Sequence, residues 1–352
     1  MTLKSDIRAE ADRLRAAFEA RGAETVEADI LQPAGGLLDL YGEDIRGRAF
    51  VTQDPVRGEM MLRPDFTVPL VRRHMDEGRG QARYTYAGEV FRRQEEDPER
   101  ASEYLQVGYE LFNGMDPAEA DAEVFAAIAE ILAPLDLAAS MGDIGLLQAA
   151  IAGLDTSEAR KARLLHHLWR PRRFKALLEG YARVDARDIE PARSGALEIG
   201  LRTRAEVDAR LDAMREDRQT QPLPAEAVAW IDALLAVEAP ASEALAVLAP
   251  LVRGHVEIAP AIDALAARLD ALAARGVDLS KVRFAVNYGR TTLEYYNGFV
   301  FGFEAADRSD LPPVATGGRY DALTRAIGGG NGVPAVGGVI RPGLTLELGG
   351  RP

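Results

Sequence analysis

Apolar positions near the start of the chain recur with the period of a helix. Four of them share one helical face: Leu3, Ile7, Leu14 and Phe18. Gly22 follows as the residue expected to end this helix. Residues 23–60 carry only short apolar runs between prolines and glycines, which predicts loops and brief strands.

A long hairpin is predicted next. Aromatic and β-branched residues are dense in 84–91 and in 104–112, and very polar residues fill 94–100 between them. Helices are predicted on either side of the hairpin. Asp65 is placed to cap the first helix, and Asp116, followed by a proline, opens the second.

The composition then changes. Residues 143–255 are rich in Ala, Leu, Arg and Glu at helical spacing, which predicts an all-helical segment. Strands return at 282–288 and 295–304, and the chain closes with a strand and a helix within 336–348.

This order of elements predicts an α+β fold, because strands and helices do not alternate regularly. The predicted domains are one core formed by residues 1–142 and 256–352, and a helical insertion formed by residues 143–255.

Composition excludes several kinds of site. The 352 residues include 42 Lys and Arg against 55 Asp and Glu, a net charge of −13, so a broad surface for nucleic acid is not expected. The absence of cysteine excludes disulfides and thiolate metal sites, and the four histidines lack metal-ligand spacing. No signal peptide or membrane span is recognisable. We therefore expect a cytoplasmic protein without a metal, a cofactor or a membrane partner.

Polar residues that suit a small zwitterion are gathered in and around the predicted hairpin. Gln106 and Glu110 are four residues apart, so a strand directs both side chains to one face. With Asp65 and Arg92 they would form a polar site in which carboxylates suit an ammonium and the guanidinium suits a carboxylate or phosphate. Any one of these segments alone is more typical of a solvated strand face.

Taken together, the segments resemble histidyl-tRNA synthetase and its relatives in order and separation. LRPDFT (62–67) is similar to a synthetase signature, residues 84–113 to class II motif 2, and LEYYNGFVFGFE (293–304) and GGRYDAL (317–323) to the histidine-specific signatures. The resemblance covers residues 1–140 and 256–348. It implies the class II aminoacyl-tRNA synthetase fold, an antiparallel sheet flanked by helices.

Several positions depart from that family. Thr291 stands where the synthetase has an arginine that stabilises the charge developed in adenylate formation, and Gln94 and Glu95 change the motif 2 loop. Motif 3 is reduced to the segment around Arg341, and the chain ends about ten residues later, before an anticodon-binding domain of ordinary size. The amino-acid pocket is therefore expected to remain, without the adenylation and tRNA machinery.

This profile resembles the regulatory subunits of ATP phosphoribosyltransferase, a non-catalytic paralogue family. The resemblance implies a partner, the short catalytic subunit, whose activity in the first step of histidine biosynthesis requires the regulatory chain and is inhibited by histidine. It also implies a homodimer, formed through the region from Ala9 to Leu40, within a larger hetero-oligomer. Two alternatives stay open: a truncated histidyl-tRNA synthetase, and a synthetase-like enzyme that activates histidine for another acceptor.

The resemblance also assigns roles in a histidine site. Asp65 and Glu110 are expected to bind the ammonium, completed by Thr67 and Gln106, and Arg92 faces the carboxylate. Tyr296 and Tyr320 are expected to bracket the imidazole, and Glu294 to hold it from the far side. Tyr295 is the ninth residue expected in the site.

Two weaker signals lie outside these segments. Basic residues cluster within 160–175, where a solvated helix face with Leu164 and Trp169 packed inward is favoured over contact with an acidic partner or RNA. Gly-rich residues 328–332 are interpreted as a mobile loop rather than a phosphate cradle.

Overall fold

A computed structural model describes residues 3–35, 47–93, 100–114, 116–183, 203–290 and 295–349. The strands in these residues are β1 (Glu24–Thr25), β2 (Leu31–Pro33), β3 (Val51–Asp54), β4 (Gly58–Leu62), β5 (Ala82–Phe91), β6 (Glu103–Phe112), β7 (Ala138–Asp143), β8 (Glu238–Pro240), β9 (Val282–Ala285), β10 (Phe299–Glu304), β11 (Ala315–Arg319) and β12 (Ala335–Ile340).

The α-helices in the described residues are α1 (Lys4–Glu19), α2 (Thr67–Glu77), α3 (Pro117–Leu132), α4 (Ile144–Ala152), α5 (Glu158–His166), α6 (Pro171–Tyr181), α7 (Arg204–Gln219), α8 (Ala225–Leu235), α9 (Ala244–Val252), α10 (Ala259–Ala274), α11 (Asp321–Ile327) and α12 (Pro342–Glu347). Short 3₁₀ turns cover Ala133–Leu135, Ala241–Glu243 and Val256–Ile258. No helix among the described residues is both long and apolar enough to cross a membrane.

A nine-stranded sheet organises the molecule, in the order β1-β5-β6-β12-β11-β10-β7-β9-β8. Neighbouring strands are antiparallel except at β1–β5 and β7–β9. The β5–β6 hairpin pairs Ala82 with Phe112 and continues without interruption to Phe91 with Glu103. The predicted hairpin and the α+β fold class are confirmed.

Helices cover the back face of this sheet. Phe18 of α1 stacks on Tyr109 of β6 with ring centroids 4.9 Å apart, and Phe125 of α3 meets Phe301 of β10 at 5.4 Å. Because strand side chains alternate between faces, Tyr109 on the back places Glu110 on the front.

A buried ion network joins the back-face helices to the sheet. Asp121 of α3 accepts hydrogen bonds from Arg268 at 2.7 Å and from Arg319 at 2.6 Å. Arg268 also donates to Asp143 at 2.6 Å, and Asp143 caps the first turn of α4. The network therefore ties α3 and α10 to the strand that leads into Tyr320.

The front face is covered at one end by α2. His74 of α2 stacks on Phe112 at 4.3 Å and is hydrogen-bonded to the Tyr84 hydroxyl at 3.0 Å. Phe66, just before the helix, stacks on Tyr86 at 4.2 Å. Asp65 caps this helix only weakly, since its carboxylate accepts from the Val68 amide at 3.4 Å.

Helices dominate the described residues 144–183 and 203–252, where Leu164, Phe174 and Leu178 are buried. Pro250 lies inside α9, and Pro240 lies in β8, which pairs with β9. The division of the chain into a core and an insertion stays a prediction.

Two predicted strands are shorter in the structure. The first ends at Ala285 because Tyr288 to Arg290 form a turn, in which Gly289 adopts a φ of +87°. The second begins only at Phe299, so Tyr295 and Tyr296 precede β10. Their aromatic side chains are buried there by the pocket rather than by strand pairing.

Candidate functional site

The front face of the β5–β6 hairpin forms the floor of a polar pocket. In register, Tyr86 pairs with Gly108 and Gly88 pairs with Gln106. Glycine is required beneath the tyrosine, because a Cβ at position 108 would collide with the Tyr86 ring. The two glycines thus make room for their neighbours, since Tyr86 lies over Gly108, and Arg63 and Phe66 lie over Gly88.

Glu110 is the most enclosed acidic group of the pocket. It is 1% exposed, and three hydroxyl groups donate to its carboxylate: Tyr320 at 2.6 Å, Tyr86 at 2.9 Å and Thr67 at 3.3 Å. A Cβ at position 337 on β12 would collide with this carboxylate, so Gly337 provides its space. Burial raises the pKa of Glu110 to about 7, with a smaller contribution from Asp65, while the hydroxyl donors oppose the rise.

Asp65 and Arg92 lie together at another part of the pocket. Their closest charged atoms are 4.0 Å apart, and Arg92 also donates to the Pro64 carbonyl at 2.7 Å. The Tyr295 hydroxyl donates to Asp65 at 3.3 Å. A guanidinium therefore lies beside a carboxylate at this end, whereas hydroxyls surround the carboxylate of Glu110.

Gln106 has an acceptor that is left unused. Its side chain is 1% exposed, and its Oε1 atom has no hydrogen-bond partner among the described residues. A buried amide oxygen without a partner costs about 1–3 kcal/mol. The arrangement therefore favours a ligand that brings an N–H or O–H donor to this position.

Three tyrosines form an aromatic wall. Tyr295 contacts Tyr296 at 5.0 Å and Tyr320 at 6.1 Å, both edge to face. The Tyr296 ring crosses β11 at Gly318, where a Cβ would come within 2.8 Å of it. Burial raises the pKa of all three phenols, so they act as neutral hydroxyl donors and acceptors.

Eight of the nine predicted site residues lie on or against this face: Asp65, Thr67, Arg92, Gln106, Glu110, Tyr295, Tyr296 and Tyr320. Glu294 lies outside the described residues, as do the diagnostic positions Thr291, Gln94 and Glu95.

Tyr86 belongs to the site although the sequence analysis did not select it. Aromatic residues in a strand are typical of a core, so its type alone gave no signal. Its position in the strand was the available signal. Tyr86 lies on the same strand face as Tyr84 and Gly88, which pair across the hairpin with Glu110 and Gln106. Arg63, in the LRPDFT segment, donates to the carbonyls of Glu89 and Ala28 and lies over Phe66, so it supports the hairpin.

The arrangement is suited to binding a small polar molecule. Carboxylates at two positions attract cationic or N–H groups, Arg92 offers a place for an anion, and tyrosines exclude water. Among the described residues no group of His, Cys, Asp or Glu could hold a metal ion.

The basic segment within 160–175 is more structured than a solvated helix face. Arg160 is 6% exposed and donates to Asp217 at 2.8 Å, which joins α5 to α7. Leu164 is buried and Trp169 is partly buried against the core, as predicted. The Gly-rich residues 328–332 follow α11 and join it to β12.

Comparison with known proteins shows the family of this chain. The family model described as Histidyl-tRNA synthetase matches residues 4–342. A protein of Agrobacterium fabrum named ATP phosphoribosyltransferase regulatory subunit is 32% identical over 349 residues, covering 91% of each chain. A protein of Sinorhizobium fredii with the same name is also 32% identical, covering 92% of each chain.

Solved structures show the same fold. A Bacillus halodurans structure titled ATP phosphoribosyltransferase regulatory subunit/histidyl-tRNA synthetase superposes with a TM-score of 0.70 at 20% identity, covering 98% of this chain and 79% of that one. A histidine–tRNA ligase subunit from Alicyclobacillus acidocaldarius gives a TM-score of 0.62 at 22% identity, covering 98% and 92%.

Proposed function

Since this chain belongs to the histidyl-tRNA synthetase-like family of ATP phosphoribosyltransferase regulatory subunits, we propose that it is the non-catalytic, histidine-sensing subunit of that enzyme. In this role it activates the short catalytic subunit and transmits feedback inhibition by histidine. The observation that carries the proposal is the enclosed pocket in which Glu110 and the unpartnered acceptor of Gln106 lie behind a tyrosine wall.

The contacts within the pocket support an orientation for bound histidine. Arg92 and Asp65 adjoin each other, and Thr67, two residues after Asp65, reaches Glu110. We therefore orient the ligand with its carboxylate toward Arg92 and its ammonium toward Asp65. The Oε1 atom of Gln106, which has no partner among the described residues, accepts a hydrogen bond from the ammonium.

Glu110 suits the imidazole better than the ammonium to which the sequence analysis assigned it. It lies among the hydroxyls of Tyr86, Tyr320 and Thr67. Burial raises the pKa of Glu110 to about 7, so near neutral pH its carboxyl can accept a hydrogen bond from an imidazole N–H or donate one to an imidazole nitrogen. Tyr295 and Tyr296 then enclose the ring.

Calorimetry of histidine binding tests the pocket with a matched pair of variants. Tyr320→Phe removes a hydroxyl that donates to Glu110, whereas Tyr109→Phe removes one that donates to Glu123 on the opposite face of the sheet. We expect Tyr320→Phe to weaken histidine about tenfold, the effect of one hydrogen bond to a charged group, and Tyr109→Phe to leave affinity unchanged. Glu110→Ala should abolish binding. Equal affinities in wild type and Glu110→Ala would contradict the proposed site.

The regulatory role needs a separate assay. Mixed with a short-form catalytic subunit, the wild-type chain should raise phosphoribosyl transfer, and histidine should suppress it. With Glu110→Ala the activation should remain while the suppression by histidine is lost, because the substitution removes a group assigned to ligand binding. Activation without any histidine effect in the wild type would place the inhibitory site elsewhere in the complex.

The same preparation tests the synthetase alternative. Thr291, Gln94 and Glu95 replace residues that adenylate formation uses in the family, so histidine-dependent exchange of pyrophosphate into ATP should be absent. Exchange at about 1 s⁻¹, an ordinary enzymatic turnover, would favour a histidine-activating enzyme instead.

A further inference from the structure

Arg319 lies outside the pocket, yet it adjoins the chain segments that carry all three tyrosines of the aromatic wall. It directly precedes Tyr320 at the end of β11. Its carbonyl accepts a hydrogen bond at 2.9 Å from the amide of Asn297, the residue that follows Tyr296. Its side-chain stem lies against Gly298, where a Cβ would come within 3.3 Å of the Arg319 Cδ. One arginine therefore contacts the wall from behind at two separate places in the sequence.

The guanidinium of Arg319 is fixed through all three of its nitrogens. Nε and Nη2 donate to one oxygen of Asp121 at 3.0 and 2.6 Å. Nη2 also donates to the Pro117 carbonyl at 2.9 Å, and Nη1 donates to Asp321 at 3.1 Å. A planar fork can satisfy these partners together, whereas the single nitrogen of a lysine cannot. The position of the arginine is therefore set by its shape as well as by its charge.

The rest of the ion network encloses the same part of the chain. Arg268, which donates to Asp121 at 2.7 Å, lies 4.9 Å from the centre of the Phe299 ring. The Gly298 carbonyl accepts a hydrogen bond at 2.9 Å from the Ile144 amide at the start of α4. The segment that follows the aromatic wall is thus held by the network on one side and by α4 on the other.

Fixed geometry is what this network supplies to the pocket. Asp121, Arg268 and Arg319 are only 0%, 4% and 6% exposed. Compared with apolar residues of similar size, buried ion groups add little net stability, because desolvation offsets their attraction. Hydrogen bonds, in contrast, depend steeply on position, so a displacement of about 1 Å would break the 2.6 Å bond from Tyr320 to Glu110.

We propose that Arg319, held by Asp121, is a positioning residue of the histidine site, and that it acts through the Tyr320 hydroxyl. It makes no contact with the ligand itself. This inference rests on the proposed function for the identity of that ligand. It goes further by assigning a role in affinity to a residue whose side chain is directed to the opposite face of the sheet.

Calorimetry of histidine binding to the full chain tests the role with a double-mutant cycle. Arg319→Lys keeps the charge but loses the fork, so we expect it to weaken histidine about tenfold, as Tyr320→Phe does, because both disturb the same hydroxyl. In the Tyr320→Phe background, Arg319→Lys should then cost about threefold or less. Independent effects would instead multiply to about a hundredfold in the double variant.

Arg83→Lys is the matched control. Arg83 also directly precedes a buried tyrosine, Tyr84, and it donates twice to a carboxylate of α3, that of Glu123, at 2.6 and 2.8 Å. The Tyr84 hydroxyl is hydrogen-bonded to His74 instead of Glu110. Arg83→Lys should therefore leave histidine affinity within about twofold of the wild type.

A second measurement needs no histidine. The Tyr320 hydroxyl opposes the rise in the pKa of Glu110, so losing it should move the Glu110 titration to higher pH. Carbon-13 NMR of the unliganded chain follows this carboxyl, and Glu110→Gln identifies its signal. Arg319→Lys and Tyr320→Phe should each raise the midpoint by about one pH unit, and Arg83→Lys should not change it. A purely structural role of Arg319 would not move the midpoint.

The two measurements separate this inference from the proposed function. A wild type that does not bind histidine would contradict the function, while the Glu110 titration would still decide the role of Arg319. If Arg319→Lys does not fold, Gly298→Ala replaces it, because its methyl group presses on the arginine stem and should move both readouts in the same direction. Wild-type affinity and titration in Arg319→Lys, losses that multiply with Tyr320→Phe, or an equal loss in Arg83→Lys would each overturn the proposal.

Discussion

Glu110 alone should make the stability of the folded chain depend on pH. Its pKa rises from 4.5 in an exposed carboxyl to about 7 in the folded chain, so the folded state retains the proton that the unfolded state releases. This contribution to stability is fully present below about pH 4.5 and is lost as the pH rises through about 7. The unliganded protein should therefore lose up to about 3 kcal/mol of unfolding free energy from this group across that window.

Glu110→Gln tests this contribution because glutamine keeps the shape and cannot ionise. At pH 8 the variant should be more stable than the unliganded wild type, by up to about 3 kcal/mol, and at pH 5 the difference should shrink toward zero. Denaturant unfolding at the two pH values measures it, with Glu123→Gln as the back-face control. A stability difference that does not change with pH would show that Glu110 is ionised throughout.

Gly337 leaves the space that the Glu110 side chain occupies, which leads to a second prediction for a single residue. A methyl group there would occupy the position of the Glu110 carboxylate. Gly337→Ala should therefore prevent histidine binding and cost about 3 kcal/mol, the usual upper range for overpacking. Gly343→Ala in α12 is the control, since its Cβ would meet nothing closer than 3.8 Å and alanine favours a helix. Histidine affinity close to wild type in Gly337→Ala would contradict the placement of Glu110.

At the scale of elements, local sequence patterns predicted helices and strands, but they did not predict contacts between residues far apart in the chain. The hairpin and the capped α3 follow from alternation, an Asp–Pro start and helical spacing, all within short stretches. Tyr295 and Tyr296 look like strand residues, yet their burial comes from Asp65 and Tyr320, which lie far away in sequence. The pocket residues were predicted through family resemblance, because no local pattern brings separated segments together.

The ion network shows the same limit. Asp121 meets Arg268 and Arg319 across 147 and 198 residues, and the sequence offers no periodicity that would pair them. Asp121→Asn leaves two buried guanidinium groups undercompensated, so we expect a loss of about 3–5 kcal/mol. Urea unfolding checks it against Glu123→Gln, whose ion pair with Arg83 is partly exposed and should contribute about 1 kcal/mol or less. Similar losses for both variants would mean that the network adds little.

At the scale of the whole molecule, the two faces of the sheet have different tasks. Helices α1, α3 and α10 and the ion network fix the back face, so the front face can hold glycines and unpaired polar groups. Arg319 in the network directly precedes Tyr320 in the pocket. A displacement of Tyr320 by a ligand can therefore reach α10 through Arg319, Asp121 and Arg268. Arg268 also contacts Asp143, which caps α4.

Assembly is the last property of the whole molecule that the surface predicts. In the second sheet, in the order β2-β4-β3, neither outer strand has a further partner strand among the described residues, and Ile30 and Leu31 at its β2 edge are 43% and 38% exposed. Exposed apolar side chains on an open edge favour pairing with another chain, and a two-fold dimer is the commonest assembly. Both residues lie within the stretch from Ala9 to Leu40 to which family resemblance assigns dimerisation; its residues 36–40 are outside the described part.

We therefore expect a homodimer at micromolar concentration, which Ile30→Asp/Leu31→Asp should convert to a monomer, because each aspartate must be desolvated or repelled at the interface. Val256→Asp is the matched control, since Val256 is 75% exposed near α10 and should keep the dimer. Light scattering gives the mass, and far-ultraviolet circular dichroism shows that each variant remains folded. A wild-type chain that stays monomeric alone and with the catalytic subunit would contradict the dimer, and an Ile30→Asp/Leu31→Asp variant that stays dimeric would move the interface away from β2.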